Sequence, residues 1–121
     1  MSMIGFLRNL VNRLRARPPV QTVRVSDRDL SLLTGDREYD HFAWDEILEI
    51  VTFKRDLFTY DDIRLAFRLD DGWLEVSEDA LGWPELTEEM QRRFQDIPTD
   101  WYTTVMFPPF ETCYRVLYKR D

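Results

Sequence analysis

From Ile63 to Val76 apolar and polar residues alternate on either side of Asp71-Gly72, the period of two that sends successive side chains to opposite faces of a strand. The pattern predicts a β-hairpin. With Asp71-Gly72 as a two-residue type I′ turn, Asp70 stands opposite Trp73, Leu69 opposite Leu74, Arg68 opposite Glu75 and Phe67 opposite Val76, so apolar meets apolar and cation meets anion. The same period begins at Thr22. Val23 and Val25 alternate with Thr22 and Arg24, the polar run Ser26 to Asp29 reads as a turn, Leu30 to Leu33 as a second strand closed by Thr34-Gly35-Asp36, and Arg37 to Phe42 as a third. Trp44-Asp45-Glu46-Ile47 then leads into a strand from Leu48 to Lys54. Ile47, Val51 and Phe53 fall on one side of it with Glu49, while Leu48 and Ile50 fall on the other. Apolar residues on both faces predict a central strand.

Two stretches change to a helical period. Met3, Phe6, Leu7, Leu10, Val11 and Leu14 recur on one helical face up to Arg17, and Pro18-Pro19 ends the pattern. Pro84 opens the second, where Leu86, Met90 and Phe94 form a stripe, with Glu85, Glu88 and Glu89 near the positive end of the helix and Arg92-Arg93 near the negative end. Trp101 to Phe107 reads as a strand rich in β-formers, Pro108-Pro109 as a turn, and Thr112 to Tyr118 as a last strand. The prediction is an α+β fold: a bent antiparallel sheet, one packed helix at about 84–95 and an N-terminal amphipathic helix. The boundary falls at Pro18-Pro19, dividing a basic helix and linker, 1–19, from a single acidic β-rich domain, 20–121.

At 121 residues the chain has the length of one domain. Its single cysteine, Cys113, excludes an intramolecular disulfide. No charged, apolar and small-residue cleavage regions stand in order at the start, so a cytoplasmic location is expected. Charge is unevenly spread. Residues 1–25 hold Arg8, Arg13, Arg15, Arg17 and Arg24 and no acid, +5, whereas the rest sets 11 basic residues against all 23 acidic ones, −12. Such a body disfavours nucleic acid, whose non-specific affinity comes from neutralising phosphates, and suits a cationic partner.

The order of the pieces resembles bacterial domains of the pleckstrin-homology-like class. The resemblance rests on Val23 to Ser26, the polar turn, Leu30 to Leu33, and above all Phe42-Ala-Trp-Asp-Glu-Ile47 feeding a long strand. The chain is also similar to small uncharacterised bacterial proteins that pair a lysine-arginine-aspartate step, here Lys54-Arg55-Asp56, with a Gly-Trp before a helix and an aromatic Pro-Pro-Phe, here Phe107-Pro-Pro-Phe110. The resemblance implies a half-barrel closed by a helix. The chain departs from it by continuing through two more apparent strands, and its acidic body departs from a phosphoinositide site.

Catalytic chemistry finds few parts. His41 lies in a strand-like stretch beside Tyr39 and Phe42 and reads as a structural or surface histidine; Cys113 has no partner at metal or redox spacing and reads as a small buried hydrophobe. No Gly-x-Ser-x-Gly, His-Glu-x-x-His or glycine-rich phosphate loop occurs. The carboxylate pairs Asp61-Asp62, Asp70-Asp71 and Glu78-Asp79 have the types needed for a hard cation or an acid–base couple, yet neighbours on a strand face opposite ways and such pairs are ordinary turn chemistry. No catalytic residue, metal site or cofactor is expected.

Binding remains. The leading expectation is a non-enzymatic protein-binding module, of the immunity or inhibitor kind, masking a basic surface of a partner protein. Asp56, Phe58, Tyr60, Asp61 and Asp62 would form the centre of the contact and Glu78 and Asp79 its rim, since rings supply affinity and carboxylates steer the encounter. The competing expectation is a membrane-surface or assembly adaptor, in which Phe6, Leu7, Leu10, Val11 and Leu14 enter the interface while Arg8 and Arg13 meet anionic headgroups. The plainer role for the same helix is to cover an open edge or face of its own sheet.

Overall fold

A computed structural model describes residues 20–56, 60–107 and 112–121. The predicted N-terminal helix, with Phe6, Leu7, Arg8, Leu10, Val11, Arg13 and Leu14, lies outside the described residues, as does Phe58. Among the described residues the chain forms two antiparallel sheets and two α-helices, an α+β arrangement with the sheets left open rather than joined into a barrel.

The first sheet is a meander of β1 (Gln21–Val25), β2 (Asp29–Thr34) and β3 (Arg37–Ala43). Its first turn is tied by Ser26, whose hydroxyl accepts the Asp29 N–H at 3.1 Å while the Ser26 N–H bonds the Asp29 carbonyl at 2.9 Å. The second turn is Gly35-Asp36, with φ +60° at Gly35, the conformation a type II′ hairpin requires at its first central position. Between β2 and β3 the register shifts, with Leu32 facing Asp40 and Leu33 facing Glu38. Tyr39 is therefore the extra residue of a β-bulge.

The single bent sheet expected from the sequence is divided at Trp44–Glu46, a 3-10 turn. Trp44 is buried there, its indole N–H donating to the Ser26 carbonyl at 3.0 Å and its backbone N–H to that of Arg28 at 3.0 Å. The second sheet runs in the order β6-β5-β4-β7, from β4 (Glu49–Asp56), β5 (Asp61–Leu69), β6 (Gly72–Ser77) and β7 (Arg115–Lys119). As its two-sided apolar pattern predicts, β4 is internal, between β5 and β7.

The hairpin is where the sequence predicts it, but its register is two residues away. Leu69 faces Gly72, Arg68 faces Trp73 and Phe67 faces Leu74. The turn is Asp70-Asp71, neither at positive φ, and Gly72 takes φ +146° as the first residue of the returning strand. A slip of two keeps every side chain on its predicted face. It changes the partners: Arg68 pairs across β4 with Glu49 at 3.2 Å, and Glu75 accepts from Arg55 at 2.8 Å.

The core fills the space between the sheets and the helices. Ile50, Ile63, Leu65, Phe67 and Val76 from the inner face of the second sheet meet Leu30, Leu32 and Phe42 of the first, and Phe42 and Phe67 stand ring to ring at 5.9 Å. Helix α1 (Trp83–Arg93) lays its predicted stripe over this core, with Leu86 and Met90 fully buried and Phe94, at its C-cap, 4.4 Å from the Tyr118 ring. The segment read as a strand from Trp101 is instead α2 (Trp101–Met106). Its β-formers are overruled by packing, because the helical spacing of Trp101 and Val105 buries both. The last strand is shorter than predicted, and Cys113 stands ahead of it, half-buried, at φ +48°.

Between β6 and α1 the chain pairs in parallel with β1. The Val23 N–H donates to the Leu81 carbonyl at 2.8 Å and the Leu81 N–H to that of Gln21 at 2.9 Å. This stitch joins the first sheet to the end of the second. Gly82 follows it at φ +91° and caps α1.

Candidate functional site

The outer face of the second sheet carries an apolar patch among charged residues, where a solvated sheet is ordinarily polar throughout. Alternation places Val51 and Phe53 of β4, Ala66 of β5 and Trp73 of β6 on this face, away from the core. Together with Tyr39, Tyr114, Leu74 and Glu75 they line a shallow groove of about 500 Å³. Its floor is tight, since Val51 and Ala66 are buried. Its walls are aromatic and open: Tyr39, Trp73 (46% exposed) and Tyr114 (57%). Tyr39 reaches the groove from the other sheet because the bulge re-aims it, an ordinary use of an extra strand residue, and its hydroxyl accepts from Gln21 Nε2 at 2.8 Å. Glu75 closes one side, gripped through both carboxylate oxygens by Arg55 at 2.8 Å and approached by Arg64 at 3.8 Å. The groove thus sets apolar rings inside a rim of paired charges.

Among the described residues, those read from the sequence as a site lie near one another, but several of their carboxylates are committed to the fold. Asp61, Asp62, Glu78 and Asp79 gather where β5 begins and β6 ends, with Tyr60 exposed beside them and Asp56 opposite Asp61 in the ladder. Asp62 is 1% exposed, accepting from Arg64 Nε at 2.8 Å and from the Ser77 hydroxyl at 2.7 Å. Asp61 lies 3.5 Å from the ammonium of Lys54, itself buried and donating to the Met106 carbonyl at the end of α2 at 3.0 Å. Glu78 accepts the Ile63 N–H at 3.2 Å and the Tyr102 hydroxyl at 2.5 Å. Burial, reinforced by that bond, pushes the Tyr102 phenol up to about 12. Among the members whose side chains are described, Asp79 and Tyr60 face outward.

Elsewhere His41 gains the partner that the sequence did not reveal. Its Nε2 lies 2.9 Å from Asp29 Oδ2 across the β2–β3 ladder, and that bond raises the imidazole pKa above its ordinary value. Hydrogen bonds from Ser26 and His41 in turn hold the Asp29 carboxyl below the usual range. The order is wrong for an activated hydroxyl. Ser26 bonds the carboxylate at 2.5 Å and two backbone amides, so it is a turn residue and not the imidazole's substrate for proton abstraction. His41 also edges a second concavity of about 580 Å³, shared with Asp40, Asp45, Glu46, Asp70, Asp71 and Arg120. Arg120 is tied there to the Asp45 carbonyl at 2.7 Å. Among the described residues no group of three His, Cys, Asp or Glu side chains has a metal-holding arrangement, and no helix is long and apolar enough to cross a membrane.

Tyr39, Val51, Phe53, Ala66 and Tyr114 were not singled out as a site by sequence reasoning. The signal was the two-sided apolar character of β4 together with Trp73 on the polar side of the hairpin. The bulge that recruits Tyr39 has no local signature. Compared with known proteins, the chain matches no family model, no curated protein and no solved structure.

Proposed function

We propose that the protein is a non-enzymatic protein-binding module, of the inhibitor or immunity kind, that takes a basic partner surface. The observation that carries this reading is the outer groove, where Trp73, Tyr114 and Tyr39 stand open above a close-packed floor. Exposed aromatic anchors of this type dominate interface energetics, while an acidic body accelerates encounter with a cationic partner. Tyr60 and Asp79 lie near the other end of the same sheet and extend the contact toward the site read from the sequence.

The pleckstrin-homology-like likeness belongs to the same reading. What supports it is the division of antiparallel strands into a meander of three and a second sheet, with a helix packed after the sixth strand. Against a strict likeness stands β7, which returns beside β4 after both helices.

The experiment is a paired capture from the native host, with wild-type protein and a Trp73→Ala, Tyr114→Ala variant as baits and mass spectrometry as readout. Both side chains are exposed, so the variant should keep its fold, which circular dichroism checks. The expected result is a basic protein retained by the wild type, lost with the variant and released as salt rises through about 0.5 M, where the screening length shrinks to a few ångströms. Equal retention by both baits, retention indifferent to salt, or no retained protein overturns the proposal.

A further inference from the structure

The groove lies where the chain enters the fold. The described residues begin at Val20, and the next, Gln21, sets its side-chain amide against the Tyr39 hydroxyl at 2.8 Å and the Glu75 carbonyl at 2.9 Å. Both residues line the groove. Whatever precedes β1 therefore starts at the β6 edge of the second sheet, beside the groove.

Nineteen residues precede Val20, and their apolar positions recur at helical spacing among four arginines and no acid. A helix of that length is marginal in water on its own and needs a surface for its apolar stripe. The sizes agree. From Met3 to Leu14 such a helix spans about 17 Å, and four strands present a face roughly 15 Å wide. Its charge complements the body, which carries −12 beyond residue 25. The tether is Pro18, Pro19 and Val20, short enough to hold the segment near the groove at about millimolar effective concentration. That favours this occupant over a second copy of the chain.

We propose that residues 3–17 cover the outer face of the second sheet in the same molecule, with Phe6, Leu7 and Leu10 set against Phe53, Trp73 and Tyr114. The protein thereby carries its own stand-in for a basic partner, and a partner gains the groove by displacing it. The displacement step rests on the binding reading above; the cover itself does not.

The test uses the full chain with a photo-activated benzophenone amino acid in place of Leu10. Illumination should give monomeric product, cross-linked to peptides that contain Phe53, Trp73 or Tyr114. A second measurement uses the full-length Leu7→Asp, Leu10→Asp variant: a labelled synthetic peptide of residues 1–19 should bind it saturably, bind the wild type at least tenfold more weakly, and lose affinity for a variant that also carries Trp73→Ala. Cross-links to α1 or α2, to a second copy or to nothing overturn the proposal. So does transfer of the cross-link to lipid when vesicles rich in phosphatidylglycerol are added, the outcome that the membrane-adaptor reading requires. Failure here leaves the paired capture to judge partner binding, and failure of the paired capture leaves the cross-link standing.

Discussion

Gln21 Oε1 accepts the backbone N–H of Ser77 at 2.9 Å while Gln21 Nε2 donates to the carbonyl of Glu75, so a side-chain amide occupies the place of a neighbouring strand on the edge of β6. An open edge is a template for unwanted pairing. One glutamine blunts it, ties the two sheets together and holds Tyr39 over the groove. Gln21→Ala removes these bonds together. It should lower unfolding free energy by about 1–2 kcal/mol, read from urea denaturation, and speed exchange of the Ser77 amide in hydrogen–deuterium measurements.

Gly82 tolerates no side chain. At φ +91° a Cβ would stand 2.0 Å from the Val23 carbonyl oxygen, which is backbone and cannot turn aside. Gly82→Ala should therefore cost about 3 kcal/mol, through the left-handed conformation and the displaced stitch between Val23 and Leu81. A Gly35→Ala change meets nothing within 4 Å and should cost less, through its backbone conformation alone. Thermal denaturation of the two variants side by side checks the order.

Asp62 is a buried strut. Asp62→Ala would leave Arg64 and Ser77 facing a vacated carboxylate site and should destabilise by about 3 kcal/mol, whereas Asp79→Ala, on the exposed side of the same cluster, should stay within about 0.5 kcal/mol. A double-mutant cycle of Asp62→Ala with Ser77→Ala should show coupling of about 1 kcal/mol. Independent effects would mean that the 2.7 Å bond contributes nothing.

Two titrations follow from the geometry. Tyr102, raised from 10.0 to about 12, favours the folded state fully below pH 10, where both states keep the phenol protonated, and loses that contribution as pH rises through about 12. Ultraviolet difference absorbance should resolve the late Tyr102 phenolate, moved earlier by Glu78→Gln.

His41, raised above 6.5 by its bond to Asp29, favours the folded state below pH 6.5 and loses that contribution as pH passes the higher folded value. The imidazole resonance should titrate above 6.5 in the wild type and return toward it in Asp29→Asn.

The parts of this fold that follow from local periodicity were legible in the sequence. Val23, Val25 and Leu30 alternate as strand residues and are placed as such, and Leu86, Met90 and Phe94 recur as one helical face. The parts decided by neighbours distant in sequence were not. Trp101 to Met106 is built of β-formers and becomes helical because that spacing buries both Trp101 and Val105 in the core. Asp71-Gly72 has the residues of a type I′ turn, yet the ladder to β6 places the turn one position earlier. Asp62 and Glu78 looked like solvent-facing acids, because nothing local announces that Ser77 and Tyr102 will reach them. The groove was half-visible: β4 showed its second apolar face, but Tyr39 arrives only through a bulge.

The stitch between Thr22 and Leu81 has a consequence for the order of assembly. The meander β1–β3 and the hairpin β5–β6 close over short loops, whereas the stitch closes a loop of roughly 60 residues, whose entropic cost is larger and is repaid only when both pieces already exist. It is thus a late-forming clasp. Interactions absent from the folding transition state govern how fast a native protein opens rather than how fast it closes, so Val23, Leu81 and Gly82 set the lifetime of the folded molecule more than the speed of its birth.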